Sequence, residues 1–415
     1  MSLKKLFLFF IIFFLAAAFR FTGLNWDANQ HLHPDERFLT MVANGTSWPK
    51  TISEYFDTKT SPLNPHNAGF SFYVYGTFPL FLVKAIAEAL GRGDYNNLTL
   101  VGRALSALFD MGTLILVFFI TKQIIKSKAQ MTNDKSNPKL KFCHLDFGFW
   151  ISPYIAMFLY GVMVLPIQLS HFFTVDPYLT FFLTLSFFFL TSHLSLLTSV
   201  FLGLSFGLAI ASKISALLFL PIIGLGFLLY LLKSKNLISF LVICSLFSVV
   251  CYLTLRLANP YLFASGNVLN PTLNPAVLAN WKQLKSFDTP TSWFPPGAQW
   301  ITTAPVVFPF MQLFFLGLGI PLGLLTMTAL TYLISRVMHQ MKKKSIDKQT
   351  ISMALLLLWI FLLFGYQSIQ FAKPLRYFYP IYPLLAVSSG LFAARFFIGR
   401  IGLLVGLVGL FLLWP

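Results

Sequence analysis

Charge is what this chain has least of. Of its 415 residues only 10% are Asp, Glu, Lys or Arg, where a soluble domain carries roughly a quarter. That scarcity excludes water as the main solvent, and 57% hydrophobic residues with a mean hydropathy of +0.74 agree. Acids are scarcer than bases, 13 against 30, for a formal net charge of +17. Such an excess would suit nucleic acid, but the basic residues sit between apolar runs, the positive-inside pattern of a membrane protein. Cysteine is also scarce. Cys244 and Cys251 share one apolar run and Cys143 sits in a polar loop, so no disulfide framework is implied. No fixed-period repeat is visible and no soluble domain is expected after the last apolar run. Residues 1–415 therefore read as one membrane-embedded domain.

Apolar runs long enough to span a bilayer, about 20 residues each, recur along the whole chain. In lipid the main chain must satisfy itself, so the runs predict an all-α polytopic protein. The first, Leu6–Phe19, follows Lys4 and Lys5. Ala16–Ala18 resembles a signal-peptide cleavage site, but a retained first helix with a cytoplasmic N-terminus is preferred. Gly69–Leu90 is apolar and aromatic. Were it a span, Lys126, Lys128, Lys135, Lys139 and Lys141 would face outward, against the positive-inside bias. With Lys84 and Glu88 it suits an interfacial helix within one external loop, residues 23–99. Later spans are expected near Leu100–Ile125, Phe147–Leu169, Tyr178–Ser192, Leu194–Ser212, Ala216–Leu232, Leu237–Leu255, Val306–Ser335, Ile351–Phe371, Tyr377–Ala394 and Ile401–Pro415. That makes about eleven transmembrane helices of a multi-pass cell-membrane protein, with a second external loop at 258–305. Asn44 and Asn97 match the N-glycosylation pattern, which matters only in a cell with that pathway.

The densest polar constellation is His31-Leu-His33-Pro34-Asp35-Glu36-Arg37, just after the first helix. Pro34 is placed to start a helix, with Asp35 and Glu36 in its first turn near the positive end of the dipole. The acid pair is either a plain helix start or a general base held at the membrane surface. His31, His33 and Asp35 alternate, so an extended chain would point all three one way, as ligands of a divalent metal. In His171-Phe-Phe-Thr-Val-Asp176-Pro177 the aspartate is either an N-cap or a second active-site carboxylate on the same membrane side. Lys213 and Arg376 lie at outer helix ends, against the positive-inside trend, where they either snorkel or hold an anionic headgroup. Arg103 and Asp110, seven apart, share a helix face. Asp110 is an intramembrane acid and hence a functional candidate, although balancing a nearby cation would also explain it.

Together these residues resemble the GT-C superfamily of glycosyltransferases, in particular the protein O-mannosyltransferase-like group (family 39 type) that includes the lipid A aminoarabinose transferases. The matching features are the Asp35-Glu36 pair after the first helix, the Asp176-Pro177 motif before the fourth span, Lys213 in Ser-Lys-Ile-Ser-Ala-Leu-Leu, and Arg376-Tyr377 running to Pro383. The resemblance covers nearly the whole chain. It implies a glycosyltransferase moving a hexosyl or pentosyl group from a polyprenyl- or dolichyl-phosphate donor to an acceptor lipid, glycan or protein on the outer membrane face. Asp35 matches the family's catalytic aspartate and Asp176 its second acidic position, with Glu36 beside them. His171, Lys213, Arg376, Tyr377, Arg103 and His66 are the expected substrate-binding residues, and His31 and His33 the candidate metal ligands. One departure stands out. The aminoarabinose transferases carry Glu-Lys-Pro before the interfacial aromatic helix, and this chain has Asn64-Pro65-His66-Asn67. Its phosphate-contacting role would pass to Lys213, Arg376 or His66. A transporter or flippase of a lipid-linked saccharide is the alternative; inverted repeats would mark it, and none is visible.

Overall fold

The computed structural model describes residues 3–129, 143–291, 294–343 and 347–396. Within them every named element is helical, and one isolated antiparallel bridge joins Phe263 to Leu273. The predicted span Ile401–Pro415 and the segment 130–142, with Lys135, Lys139 and Lys141, lie outside the described residues.

Helix α1 (Leu3–Phe21) buries Ile12, Ala16 and Arg20 while Phe7, Phe10, Ile11 and Phe14 stay exposed. Apolar side chains turned outward are what a helix surrounded by lipid presents. The loop that follows holds α2 (Pro34–Gly45), the short α3 (Ile52–Phe56) and α4 (Phe78–Ala89). At 12 residues, α4 is about 18 Å long, too short for a hydrocarbon core of about 30 Å. Its buried Lys84 pairs with Glu88 at 2.7 Å and donates to the Ala43 carbonyl at 3.0 Å. An interfacial rather than spanning helix was expected here.

Helix α5 (Tyr95–Ala129) is long and continuous. The expected span Phe147–Leu169 is not. It is two pieces, α6 (Cys143–Gly161) and α7 (Val164–Ser170), bent by 59°. Pro166 explains the break, because its ring excludes the carbonyl four residues earlier, at Val162. Next come α8 (Asp176–Thr191), α9 (Leu196–Ser212), α10 (Leu220–Ser234), which continues a 3-10 turn over Ile214–Phe219, and α11 (Leu237–Ala258). Helix α12 (Pro275–Ser286) lies in the second loop. The expected single span Val306–Ser335 is also broken. Helix α13 (Val307–Met311) runs on as a π-helical turn to Leu318, and α14 (Ile320–Lys342) starts after Gly319. Gly319 has φ of +76°, a backbone region that glycine enters without steric cost. Helix α15 (Lys348–Ser368) and α16 (Tyr382–Phe396), preceded by a 3-10 turn over Leu375–Ile381, complete the described fold.

Among the described residues six helices are long and apolar enough to cross a membrane, or seven if the bent α6–α7 pair is one span. The chain is a polytopic membrane protein. Helix α9 packs between α8 and α11, and α16 lies against α5, α6 and α14. Three segments run between the same two ends of this bundle. At one end stand Asp176, which opens α8, Lys213, which follows α9 and precedes α10, and Arg376 in the turn after α15. At the other stand Thr191, Lys233 and Lys348.

Candidate active site

The site begins with a helix cap. His33 is the N-cap of α2, its Nδ1 accepting from the Glu36 N–H at 3.3 Å, and Pro34 takes the first helical position. A proline there lacks only an N–H that would go unpaired in any case. This sets Asp35 and Glu36 in the first turn, and their paths then part.

Asp35 Oδ2 accepts from Arg376 Nη1 at 2.5 Å, with about a fifth to a quarter of each side chain exposed. Beside this pair, Lys213 Nζ donates to Asp176 Oδ1 at 2.8 Å. Asp176 is not an N-cap: Val175 occupies that position and makes no side-chain cap bond. The carboxylate is therefore available to Lys213, where α9 ends in an extended residue. Tyr377 binds the two pairs into one group, its ring centroid 4.6 Å from Lys213 Nζ and 5.7 Å from the Arg376 guanidinium. Both separations are within cation–π range. Tyr75 reaches Asp35 from the first loop. The Gly76 N–H donates to the Ser212 carbonyl at 3.0 Å, and a Cβ at Gly76 would stand 1.9 Å from the Ala211 carbonyl oxygen. Only glycine lets the loop approach so closely next to Lys213.

The local field is set by these charges. Burial pushes the Asp35 carboxyl up, but Arg376, His33 and Lys213 outweigh it and hold the group below the usual carboxylate range. Burial drives His33 downward, with Asp35 opposing and Arg376 reinforcing it. A neutral His33 fits its Nδ1 acting as acceptor. Burial first, and then the Asp35 charge, raise the Tyr75 phenol, so it stays a hydroxyl.

Glu36 and Arg103 form a separate, closed network. Glu36 accepts from Arg103 Nε at 2.9 Å, Arg103 Nη2 at 2.5 Å and the Phe173 N–H at 2.7 Å. Arg103 also donates to Asp27 at 3.0 and 2.8 Å and to the Leu24 carbonyl at 2.7 Å. All five guanidinium N–H groups are thereby used, and no part of either side chain more than 1% exposed remains. The network ties the start of α2 to α5 and to the strand of chain leading into Asp176.

His171 also acts as a tether here, with Nδ1 2.8 Å from the Ile167 carbonyl and Nε2 2.9 Å from that of Thr22. His66 lies apart, 2.9 Å from Asn280 of α12, and lines a small cavity of about 20 Å³ that Tyr75 and Gly76 also border.

The extended His31-x-His33-x-Asp35 arrangement expected of metal ligands is not what forms. His31 adopts φ of +50°, its Nε2 is 2.9 Å from Asn96 and its Nδ1 3.2 Å from Thr99. His33 Nδ1 is taken by the helix cap and Asp35 by Arg376. No group of three His, Cys, Asp or Glu converges among the described residues. His31 and His33 do not make a ligand set.

Asp110 balances a cation, Arg20 of α1, and accepts from the hydroxyls of Tyr160 and Tyr379. Arg20 and Asp110 are both 0% exposed. Arg20, Asp27 and Tyr75 are the residues sequence reasoning passed over. A signal existed for the first, an arginine breaking an otherwise apolar helix face.

No family model matches the sequence, and no curated protein matches it. Solved structures do match. The fold is the polytopic membrane fold of GT-C type. The archaeal oligosaccharyltransferase AglB from Archaeoglobus fulgidus, in complex with an inhibitory peptide and a dolichol-phosphate, aligns with a TM-score of 0.59 at 15% identity, over 95% of this chain and 50% of that one. ArnT from Cupriavidus metallidurans, bound to undecaprenyl phosphate, aligns with a TM-score of 0.53 at 13% identity, over 93% and 59%. The Archaeoglobus enzyme in complex with zinc and sulfate gives 0.58 at 16%, over 97% and 51%. The chain thus spans about half the length of the structures it matches.

Proposed function

We propose that this chain is a glycosyltransferase that moves a sugar from a polyprenyl-phosphate donor to an acceptor on the outer face of the cell membrane, with its N-terminus in the cytoplasm. The observation that carries the proposal is the pairing of Asp35 with Arg376 and of Asp176 with Lys213 around one aromatic ring, at one end of a membrane bundle. Two acids and two cations meet here, all but the nearly buried Asp176 partly exposed, and the pairs can exchange partners with an incoming ligand. A flippase would have no use for a carboxylate held anionic next to a phosphate grip. The dolichol-phosphate and undecaprenyl phosphate bound by the two solved structures of like fold support a polyprenyl-phosphate carrier for the donor.

The chemistry follows from what each group can hold. The donor's phosphate draws Arg376 and Lys213 away from their carboxylates, because arginine's fork matches two phosphate oxygens and lysine acts as a point charge. Asp35, released from Arg376, becomes a stronger base and takes the proton from the acceptor hydroxyl or amine. That oxygen or nitrogen forms its bond to the anomeric carbon as the carbon–oxygen bond to the phosphate breaks, and the electron pair leaves with the lipid phosphate. Direct displacement inverts the anomeric centre. The leaving phosphate gains negative charge, so the two cations bind the transition state more tightly than the ground state. Glu36 and Arg103 position the start of α2 rather than touch substrate, and Asp176 holds Lys213. A divalent cation is compatible with Asp35 and Asp176 facing the donor, as the zinc of one matched structure invites, but no step here runs through one.

The deciding experiment incubates purified protein with radiolabelled polyprenyl-phosphate hexoses and pentoses and measures release of the free lipid phosphate. Release that depends on acceptor and vanishes in Asp35→Asn supports the proposal. Movement of intact labelled lipid across a vesicle bilayer, without release, would establish the flippase instead.

A further inference from the structure

The three segments that carry Asp176, Lys213 and Arg376 at one end of the bundle enclose a second cavity at their other end. It has a volume of about 420 Å³ and lies where α8 ends, α10 ends and α15 begins. By helix rise, α15 alone separates the two ends by about 31 Å, the thickness of a bilayer's hydrocarbon core. The cavity therefore opens at the opposite membrane surface from the candidate active site.

Its lining is divided. Leu190, Leu229 and Leu355 form apolar walls, and Lys233, Ser234 and Lys348 supply the polar part of the lining, with Lys233 exposed and Lys348 half-buried. No acidic side chain lines the cavity among the described residues. Among the described residues neither lysine has a carboxylate partner, and their ammonium groups repel one another. The neighbouring Asp347 is occupied as the N-cap of α15, where it accepts from the Thr350 N–H at 2.7 Å. Two like charges lining one cavity repel, and an anion between them would relieve that repulsion. Apolar walls continuing inward from them suit the hydrocarbon chain that such an anion would trail. An anchor role needs only exposed lysines; it needs no cavity and gives no reason for two of them to share one.

We infer that this cavity binds an anionic phospholipid, its headgroup phosphate between Lys233 and Lys348 and an acyl chain against Leu190, Leu229 and Leu355. Basic pockets between membrane helices on the cytoplasmic side are a known class of anionic-headgroup site. The site would be separate from the donor site. It links lipid composition on one surface to helices whose far ends hold the candidate active-site charges. The inference stands on the cavity's own charge and shape, whatever reaction the other end performs.

The test uses the full purified chain in detergent micelles and counts retained lipids by native mass spectrometry, with phosphatidylglycerol and phosphatidylcholine added in turn. Wild-type protein is expected to retain phosphatidylglycerol about tenfold more strongly, the scale of one to two lysines near an anionic lipid. Lys233→Gln with Lys348→Gln should abolish that preference. Leu229→Trp, which fills the apolar slot and keeps both lysines, should weaken retention as well. The lysine pair sits at the surface, so the double variant remains informative if the tryptophan variant misfolds. Equal retention of both lipids by the wild type, or an unchanged preference in the double variant, overturns the inference. So does competition by tail-free glycerol phosphate as effective as that by the lipid, since that would leave only a simple anion site.

Discussion

Asp35 and Arg376, 341 residues apart in sequence, meet in an ion pair at 2.5 Å. The pair brings the first loop onto the turn between α15 and α16, and each residue occupies the partner that the proposed reaction needs for something else. Asp35→Asn tests this most directly. It should lower turnover by about 10²–10⁴-fold, the contribution of a general base, and leave donor affinity nearly unchanged. Wild-type turnover in purified Asp35→Asn protein would end the assignment.

Arg376 should matter to binding and to the chemical step alike. Arg376→Ala is expected to weaken donor affinity and to slow single-turnover transfer further, with Arg376→Lys intermediate because a point charge replaces a fork. Affinity and rate have to be measured separately. If both survive in Arg376→Ala, the phosphate is held elsewhere and the residue only steadies Asp35.

Lys213→Ala should be milder than Arg376→Ala. It removes a point charge and leaves the nearly buried Asp176 without its cation, so Asp176→Asn added on top should restore part of the loss. A double-mutant cycle in donor affinity reads this coupling directly; strict additivity would mean that the Lys213–Asp176 pair does not act as a unit.

The pH dependence has a sign fixed by the pairing. Asp35 titrates below its ordinary value of about 3.9, since Arg376, His33 and Lys213 together outweigh burial. Its contribution to stability is present above the unfolded value and disappears as pH falls through the lower, folded one. The acid limb of kcat/KM, which reports the free protein, should lie below the ordinary carboxylate range. The limb of kcat should lie higher, because bound donor has drawn Arg376 away. Arg376→Ala should raise the kcat/KM limb, and coincident limbs in the wild type would argue that the guanidinium does not move.

The Arg20–Asp110 pair gives a stability prediction. Removing one partner from a buried pair leaves an uncompensated charge at a cost of about 3–5 kcal/mol. Asp110→Asn should therefore lower stability in micelles far more than Lys233→Gln does, as judged by denaturant midpoints. Equal midpoints would show that water reaches Arg20.

How much of this was legible beforehand depends on the kind of interaction. In a chain with so few charges, Asp35, Asp176, Lys213 and Arg376 stood out by position alone, each at an apolar run's end. The structure brings all four, with Tyr377, into one cluster. Their partners did not stand out. Tyr75 is one of many aromatics in its loop, and Gly76 matters only because Ala211 arrives from α9. Spacing set Asp110 and Arg103 on one helix face but could not name their partners, and packing sends the first to Arg20 and the second to Asp27 and Glu36. Helix breaks at Pro166 and Gly319 were equally hard to see, since hydropathy continues smoothly across both.

Arg20 has a further consequence, for how the protein is made. It leaves the ribosome 90 residues before Asp110, and Tyr379 follows Asp110 after another 269. An arginine in the last turn of a membrane helix is unfavourable among lipid chains without its acid. While α1 is alone, its guanidinium can snorkel to the nearby lipid surface. Only when α5 enters can the charge withdraw between helices, and the two tyrosine hydroxyls close around it later still. The order of synthesis thus becomes an order of assembly, in which the earliest helix is the last to be fully seated.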